Sequence, residues 1–589
     1  MTNISVDKHF DVDYRLIDNK ENLLPFVDLL MSEKIIGLDI ETTGLDPHQN
    51  KIRLIQLALP NKPVLVIDCF TFLEDGYELL KSILEQKNIK IIQNAKFELQ
   101  FFMAIDIHIP KVFDTMIVAQ LLRFSTGQIR YGLDSLSQYF LNVELDKTEQ
   151  KSDWSATLTE RQIVYSAMDA IILHRLREKM IPLILEHKLE KIVKIELDCV
   201  IAIAQIEFNG IYLDLNQWKK LTEETKKVYH EKLLTIQKYI PSKARYYNLF
   251  GEEIVEEYNL DSAHDLRKLL KENGINLQYT ARHNLSAFAD HPLVAEILEY
   301  RKHSKSLSTF LEPLVYMIHP KTKRLHPKYM QNGAWSGRMS CHGPNIQQIP
   351  RGDAFRACFT APRDKKLIVA DYSQIELRVA ASIANDKTMI EAYQKGTDLH
   401  TLTASLVSDI DISKVTKEQR QAAKAVNFGL IFGMGARGLK LYSKQSYNVD
   451  MTQEQAEKFR ERFFMAYTGI QKWHKKIKKE QPTEECTMTG RKFKFSKNAG
   501  VTNLYNAPVQ GTSADITKYA LGLLAQKAKE ADFKIIAVVH DEIILEVDES
   551  KAEETAKLLK AIMEFSGLEI LKNIPCLVEA NITDSWSGK

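Results

Sequence analysis

Ile535-Ile-Ala-Val-Val-His540-Asp541-Glu542-Ile-Ile-Leu545 is the stretch on which the reading of this chain turns. Apolar and β-branched residues flank three polar ones, the pattern of two strands joined by a tight turn with the acids at its tip. Two adjacent carboxylates are costly to bury unless a cation or a strong donor compensates them. Far upstream, Leu367-Ile-Val-Ala-Asp371-Tyr-Ser-Gln-Ile-Glu376 reads as another strand that ends in an acid. A fold that brings Asp371 and Asp541 together makes a two-carboxylate site for paired Mg²⁺ ions, the arrangement used for in-line phosphoryl transfer. Two unrelated strand ends with solvated acids are the competing reading.

The rest of the chain bounds that choice. Its 589 residues predict more than one domain, and 44% apolar residues suit globular protein. No apolar stretch is long enough to cross a bilayer, and Met1-Thr-Asn-Ile-Ser-Val-Asp-Lys carries no signal-peptide core. The six cysteines form no C-x-x-C pair, which argues against a zinc site or a disulfide framework and fits a reducing compartment. Net charge is only +2, but Asp411 to Glu480 holds 15 Lys/Arg against 7 Asp/Glu. From Asp548 to the end the count reverses, 5 against 8. A basic middle beside acidic clusters suits a protein that holds a polyanion and gathers metal ions. A solvated helix surface would explain Lys475-Lys-Ile-Lys-Lys479 equally well.

Along the chain, residues 1 to about 185 alternate strands and helices. Residues 190 to 330 read as mostly helical, Leu325 to Ala381 as strand-rich, and Asp386 to Ile477 as helical again. Asn503 to Lys589 reads helix, hairpin, helix, strand, and the best domain boundary falls between Pro182 and Glu190. No repeat or low-complexity tract is evident.

In the first part, Ile35-Ile-Gly-Leu-Asp39-Ile-Glu41 has period two, so Asp39 and Glu41 share one side of a strand end. Lys90-Ile-Ile-Gln-Asn94 is a strand running into Ala95-Lys-Phe-Glu98. Thr159-Glu-Arg-Gln162 is a capping box opening a helix on which Tyr165 and Asp169, four apart, share a face. Asp39, Glu41, Glu98 and Asp169 would hold two metals for phosphodiester hydrolysis, with Tyr165 orienting the attacking water. These three segments resemble the motifs of the 3′→5′ proofreading exonucleases, which implies an RNase H-like fold with a mixed sheet flanked by helices. Glu98 stands where the bacterial proofreading domains most often carry Asp.

In the second part, Arg420, Lys424 and Phe428 recur every four residues and line one helix face. Two cations followed by an aromatic suit a nucleoside triphosphate, and Lys424 is placed to protonate the leaving pyrophosphate. Asp398-Leu-His400 adds a further phosphate contact. Trp335-Ser-Gly-Arg338, Pro344-Asn345-Ile-Gln347-Gln348 and Asn503-Leu-Tyr-Asn506-Ala-Pro-Val-Gln510 offer Arg and amides for minor-groove acceptors and phosphates. Taken singly, each of these is equally an amphipathic helix or a capped loop.

Together they resemble family A DNA polymerases, in the large-fragment arrangement of the bacterial type, over nearly the whole chain. Asp371-Tyr-Ser-Gln-Ile-Glu376-Leu-Arg is similar to motif A, Arg420 through Gly433 to motif B, and Val539-His-Asp-Glu542 to motif C. The resemblance implies a multidomain α/β and α+β architecture, an RNase H-like exonuclease followed by a right-hand polymerase. The expected division is exonuclease 1–188, thumb 189–330 with its tip near Ala244 to Asp261, palm 331–395 and 501–589, and fingers 396–500. No 5′ nuclease domain is expected, since the chain begins almost at the exonuclease.

By the same resemblance Asp371 and Asp541 bind the catalytic metals, two Mg²⁺ at each centre with Mn²⁺ as substitute, and Glu542 lies beside them. Arg420, Lys424 and His400 hold the triphosphate, and Phe428, Phe432 and Gln374 border the incoming nucleotide. Glu376 crowds the ribose 2′ position. Arg338, Asn345, Gln347, Asn506, Gln510 and His540 contact primer or template. Phe432 occupies a usual Tyr position, and Thr502 one where relatives often place an Arg that grips the duplex. The implied partners are primer-template DNA and dNTPs, for a monomer acting in replication or repair without a membrane. It would work in the cytoplasm at the nucleoid if bacterial or phage, in a plastid or mitochondrion if eukaryotic. A nuclease whose second part only grips DNA, and a DNA-binding scaffold with relic sites, are the alternatives. Both predict gaps in the acid and cation sets that this chain does not have.

Overall fold

The computed structural model describes residues 12–123, 129–240, 245–247, 253–255 and 258–588. Much of the stretch Ala244 to Asp261 therefore lies outside the described residues.

The first part is built on a mixed six-stranded sheet in the order Tyr14–Ile17, Val64–Asp68, Ile52–Ala58, Ile35–Thr42, Ile89–Ile92, Val112–Asp114. Ile52–Ala58 runs antiparallel to both neighbours, while the outer pairs are parallel. All seven residues of that strand are buried, so helices must cover both faces. On one face, Leu54, Val64 and Val66 meet Ile163, Ala167 and Ala170 of the helix Glu160–Glu186. On the other, Leu38, Ile40 and Leu57 meet Phe72 and Leu80 of the helix Cys69–Leu84, and Leu99 and Phe102 of the helix Lys96–Ala104. Thr159 and Gln162 close the expected capping box at the start of Glu160–Glu186.

The helix Glu190–Asn209 begins after three intervening residues beyond Glu186 and joins the two parts. It packs on the helix Lys96–Ala104 of the first part, and on the long helix Val501–Ala531 and the strand Phe533–Val539 of the second. One apolar core consequently runs from Ile91 and Phe113 through Ile192 and Ile203 to Val538. The helices Leu215–Gln237 and Pro292–Ser306 pair with each other and carry a separate small core of Ile236, Leu269, Leu270 and Ile297.

The second part centres on a four-stranded antiparallel sheet, ordered Phe533–Val539, Glu542–Asp548, Lys365–Tyr372, Val578–Thr583. The helices Val501–Ala531 and Ala552–Leu571 pack against it, giving the helix, hairpin, helix, strand order read from Asn503 onward. Six helices between Lys387 and Glu480 form the expected helical region.

One expectation is corrected. The strand-rich region ends at Tyr372, and Ile375–Ile383 is a helix. Gln374, at φ +56°, turns the chain out of the strand. Ile375, Leu377, Arg378, Val379, Ala380 and Ala381 are all buried, and a run with only Glu376 partly exposed has no period that separates helix from strand. Among the described residues no helix is long and apolar enough to cross a membrane.

Candidate active sites

Two centres emerge, one on each sheet. In the first, Asp39 and Glu41 alternate with the buried Leu38 and Ile40 on the strand Ile35–Thr42. Asp169 comes from the helix Glu160–Glu186, and one oxygen from each of Asp39, Glu41 and Asp169 lies within 4.8 Å of the other two. Glu98, in the first turn of Lys96–Ala104, is buried, and its Oε2 accepts no hydrogen bond. Burial, then the charge of Asp39, lifts its carboxyl well above the usual range. Burial, then repulsion from Asp39 and Asp169, pushes Glu41 up to about 9. Asp39 is raised by burial and by Asp169. Crowded carboxylates with an orphaned buried oxygen are hard donors short of a cation, and they fit Mg²⁺ or Mn²⁺. Tyr165 hydrogen-bonds Asp169, so its hydroxyl is at the same cluster.

In the second centre, the ladder sets Asp371 across from Glu542 on one side and Glu579 on the other. Asp541 directly precedes Glu542 in the two-residue turn between the strands, where His540 takes a left-handed φ of +61°. Cross-strand Cα atoms lie about 4.5–5.5 Å apart, so Asp371 and Asp541 sit at one end of one sheet. Asp541 also acts on the buried Tyr372, whose hydroxyl is raised by burial first and by Cys576 and this acid next. A set of carboxylates at the end of inner strands again suits a hard divalent ion. Glu542 itself turns inward, 3.2 Å from Arg356, and takes the indole N–H of Trp586 at 2.6 Å. The Arg356 guanidinium lies 4.3 Å over the Trp586 ring.

Arg420, Lys424 and Phe428 ride on the helix Lys417–Ile431, which opens with a Thr416/Gln419 capping box. Arg420 is forked onto Asp398, Nε to Oδ1 and Nη2 to Oδ2, both at 2.9 Å. Asp398 also caps the helix Leu399–Ser408 and accepts from Gln374 Nε2 at 3.4 Å. His400 is buried with its ring 5.9 Å from that of Phe428, and Nδ1 lies 2.9 Å from Asn427 Nδ2. Burial pushes its imidazole down to about 4. His400 is therefore neutral at pH 7 and offers a ligand a hydrogen bond, not a charge. Phe432 ends the helix.

Glu376, in the first turn of Ile375–Ile383, is paired with Arg338. Partial desolvation, then the charges of Arg338 and Arg351, keep His540 below its ordinary value, so Arg338 acts on both Glu376 and the hairpin tip. Asn506 and Gln510, four apart, share a half-buried face at the start of Val501–Ala531. Asn345 precedes and Gln347 sits within a short 3₁₀ turn, Ile346–Gln348, and Asn345 Oδ1 is buried without a hydrogen bond.

Residues 219–588 match the model of DNA polymerase family A, and residues 14–185 match that of a 3′-5′ exonuclease. The chain belongs to DNA polymerase family A. It is 33% identical over 611 residues to the DNA polymerase I of Aquifex aeolicus, covering 98% of this chain and 100% of that one. It is 30% identical to the DNA polymerase I of Pseudomonas aeruginosa over 98% of its own length but only 66% of that protein. A solved structure of the polymerase domain of Pol1 from M. smegmatis, in complex with DNA primer-template and dNTP, superposes with a TM-score of 0.80 over 98% of this chain. At 23% identity that likeness shows the shared fold.

Several groups of this family A polymerase with its exonuclease domain carry no motif signal. Lys147 reaches Asp169 at 3.6 Å and lies 5.8 Å from the Tyr165 ring. Asp114 is buried and accepts the N–H groups of Asn94, Ala95, Met116 and Ile117, which ties down the turn before Glu98. Burial pushes its carboxyl up to about 6 against those four bonds. Arg356 and Trp586 hold Glu542. A buried quartet of Glu196, Arg491, Asp515 and Lys518 lies behind the Trp335–Arg338 turn. Apart from the Asp114 bonds to Met116 and Ile117, which cap the helix Thr115–Leu121, each of these partnerships joins residues about twenty or more positions apart.

Proposed function

We propose that this polymerase extends a DNA primer on a template at the Asp371/Asp541 centre and trims mispaired 3′ ends at the Asp39/Glu41/Glu98/Asp169 centre. The observation that carries the reading is the ladder register, which sets Asp371 opposite the residue following Asp541. Primer-template DNA and dNTP, present with the M. smegmatis domain, are the substrates this reading takes.

Two Mg²⁺ ions at each centre, replaceable by Mn²⁺, would supply Lewis acidity, with Asp371 and Asp541 as ligands at one and Asp39, Glu41, Glu98 and Asp169 at the other. Lys424 offers a proton to the departing pyrophosphate, and Arg420 neutralises the triphosphate after letting go of Asp398. Phe428 gives the nucleotide an apolar wall, and Gln374, Phe432 and His400 border it. Glu376 fills the space a ribose 2′-hydroxyl would need. Arg338, Asn345, Gln347, Asn506, Gln510 and His540 hold the duplex near the primer end. At the other centre Tyr165 positions the water that attacks the terminal phosphodiester.

In this reading residues 1–188 are the exonuclease and 189–330 the thumb. Residues 331–395 and 501–589 form the palm, and 396–500 the fingers. The separate core beneath Leu215–Gln237 and Pro292–Ser306 supports an independently moving thumb above a base made by Glu190–Asn209. The chain works as a monomer in replication or repair, at the nucleoid of a bacterial cytoplasm.

Labelled primer-template with Mg²⁺, supplied with all four dNTPs or none, tests the reading. Asp541→Ala is expected to abolish extension and spare trimming, and Asp39→Ala to do the reverse. Loss of both activities in either variant would overturn the two-centre assignment.

A further inference from the structure

Residues Asn332–Arg338 form a turn closed on itself, with Gly337 N–H donating to Ala334 O at 3.0 Å and Ala334 N–H to Arg338 O at 3.0 Å. From inside, Lys518 donates to Gly337 O at 2.8 Å and to Asn332 Oδ1 at 3.1 Å, and Arg491 donates to Asn332 Oδ1 at 2.8 Å. Gly337 has φ +86°, and a Cβ there would lie 2.5 Å from Arg491 Nε, so only glycine lets the turn sit on the quartet. Glu196 and Asp515 balance Arg491 and Lys518, and all four are buried. A buried network of this kind has one satisfied geometry, so the inner side of the turn is rigid.

The outer side is held by the exonuclease part. Arg123, just beyond the helix Thr115–Leu121, donates from Nη2 to Trp335 O at 2.9 Å. Gln120 Oε1, on that helix, accepts from Asn332 Nδ2 at 3.3 Å. Arg338 closes the turn and pairs with Glu376, in the first turn of Ile375–Ile383.

We propose that Arg123, seated in the exonuclease part, is a positioning residue for the polymerase centre. With Gln120 it braces the Asn332–Arg338 turn from outside and so keeps Arg338 against Glu376. The inference rests on the reading of Glu376 as the acid facing the sugar. With the brace gone, Arg338 loses its register, Glu376 gains freedom, and room opens at the ribose 2′ position. A proofreading domain thereby contributes to sugar selection at a site it does not line.

Single-nucleotide insertion by the full chain, with a dNTP or the matching rNTP, tests this through the ratio of the two kcat/KM values. Arg123→Ala is expected to lower that ratio about tenfold, the scale of one charge-assisted hydrogen bond. Excision of single-stranded DNA and thermal stability should stay at the parent level, and Arg123→Lys should recover part of the ratio. In a Glu376→Ala background, Arg123→Ala should lower it no further. An unchanged ratio in Arg123→Ala beside a lowered one in Glu376→Ala would overturn the inference alone. A ratio unmoved by Glu376→Ala would overturn the reading of Glu376 and, with it, this last link. Equal falls in excision, stability and ratio would mean general damage and would also overturn the positioning role.

Discussion

Arg420 and Asp398 are joined through both arms of the guanidinium fork, at 2.9 Å and 2.9 Å, on the helix face that also carries Lys424. A triphosphate that draws on Arg420 must displace this carboxylate. Asp398→Asn keeps the oxygen that caps Leu399–Ser408 but removes the charge. Because both side chains are more than a quarter exposed, the pair is worth about 0.2–1 kcal/mol. Asp398→Asn should therefore lower the apparent Kd for dNTP by up to about fivefold. Pre-steady-state insertion reads this directly, and weaker dNTP binding would instead assign Asp398 to orienting Arg420.

The same pair sets a pH expectation. Against some desolvation, bonds from Arg420 and Thr401 hold the Asp398 carboxyl well below its ordinary range. A depressed acid contributes above its unfolded pKa and loses its contribution only as pH falls through the folded value. Asp398 thus stays ionised, while His400, pushed down to about 4 by burial, stays neutral until the medium is well below pH 6. The dNTP affinity should then show no histidine-type step between about pH 6 and 8. A fall in affinity as pH rises through that window, abolished by His400→Gln, would show that His400 acts as a cation.

Sequence and structure agree where chemistry coincides with local periodicity. Asp39 and Glu41 stand out because buried Leu38 and Ile40 alternate with them, and Asp371 and Asp541 because each ends an apolar strand. Arg420, Lys424 and Phe428 follow from one helical turn. What sequence could not show is which charges neutralise which. Glu542 is held by Arg356, 186 residues away, and Arg491 by Glu196, 295 residues away. Lys147 has no periodic neighbours to mark it. Such pairs exist only through tertiary approach, and the Asp398 clamp on Arg420 spans two separate helices. Ile375–Ala381 differs for another reason: all of it but the partly exposed Glu376 is buried, and that erases the period on which a strand or helix assignment depends.

Lys147 should tune the first centre's demand for metal. Its ammonium lies 3.6 Å from Asp169 and partly offsets the charge of Asp39, Glu41 and Asp169. Lys147→Met removes a charge that competes with a divalent cation, so half-maximal excision should need roughly five- to tenfold less Mg²⁺. The same variant should be less stable than the parent in EDTA, with added Mg²⁺ closing the gap. A titration of excision rate against Mg²⁺ with an unmoved midpoint would dismiss this role.

The buried pair of Glu542 and Arg356 gives the sharpest stability test. Their side chains are only 4% and 10% exposed, and Trp586 both donates to the acid and stacks beneath the guanidinium. Removing one partner strands a buried charge, a loss of about 3–5 kcal/mol. Arg356→Leu should accordingly destabilise the second part by that order, measured by urea unfolding, and extension should fall with the displaced hairpin while excision survives. Glu542→Gln removes the stranded charge but keeps the acceptor for the Trp586 N–H. Adding it to Arg356→Leu should return at least half of the lost stability, because desolvation of an unpaired carboxylate, not loss of attraction, dominates the single-site penalty. If the double variant were as unstable as Arg356→Leu alone, the loss would come from the packing of the guanidinium on Trp586, and Glu542 would not be the group that Arg356 serves.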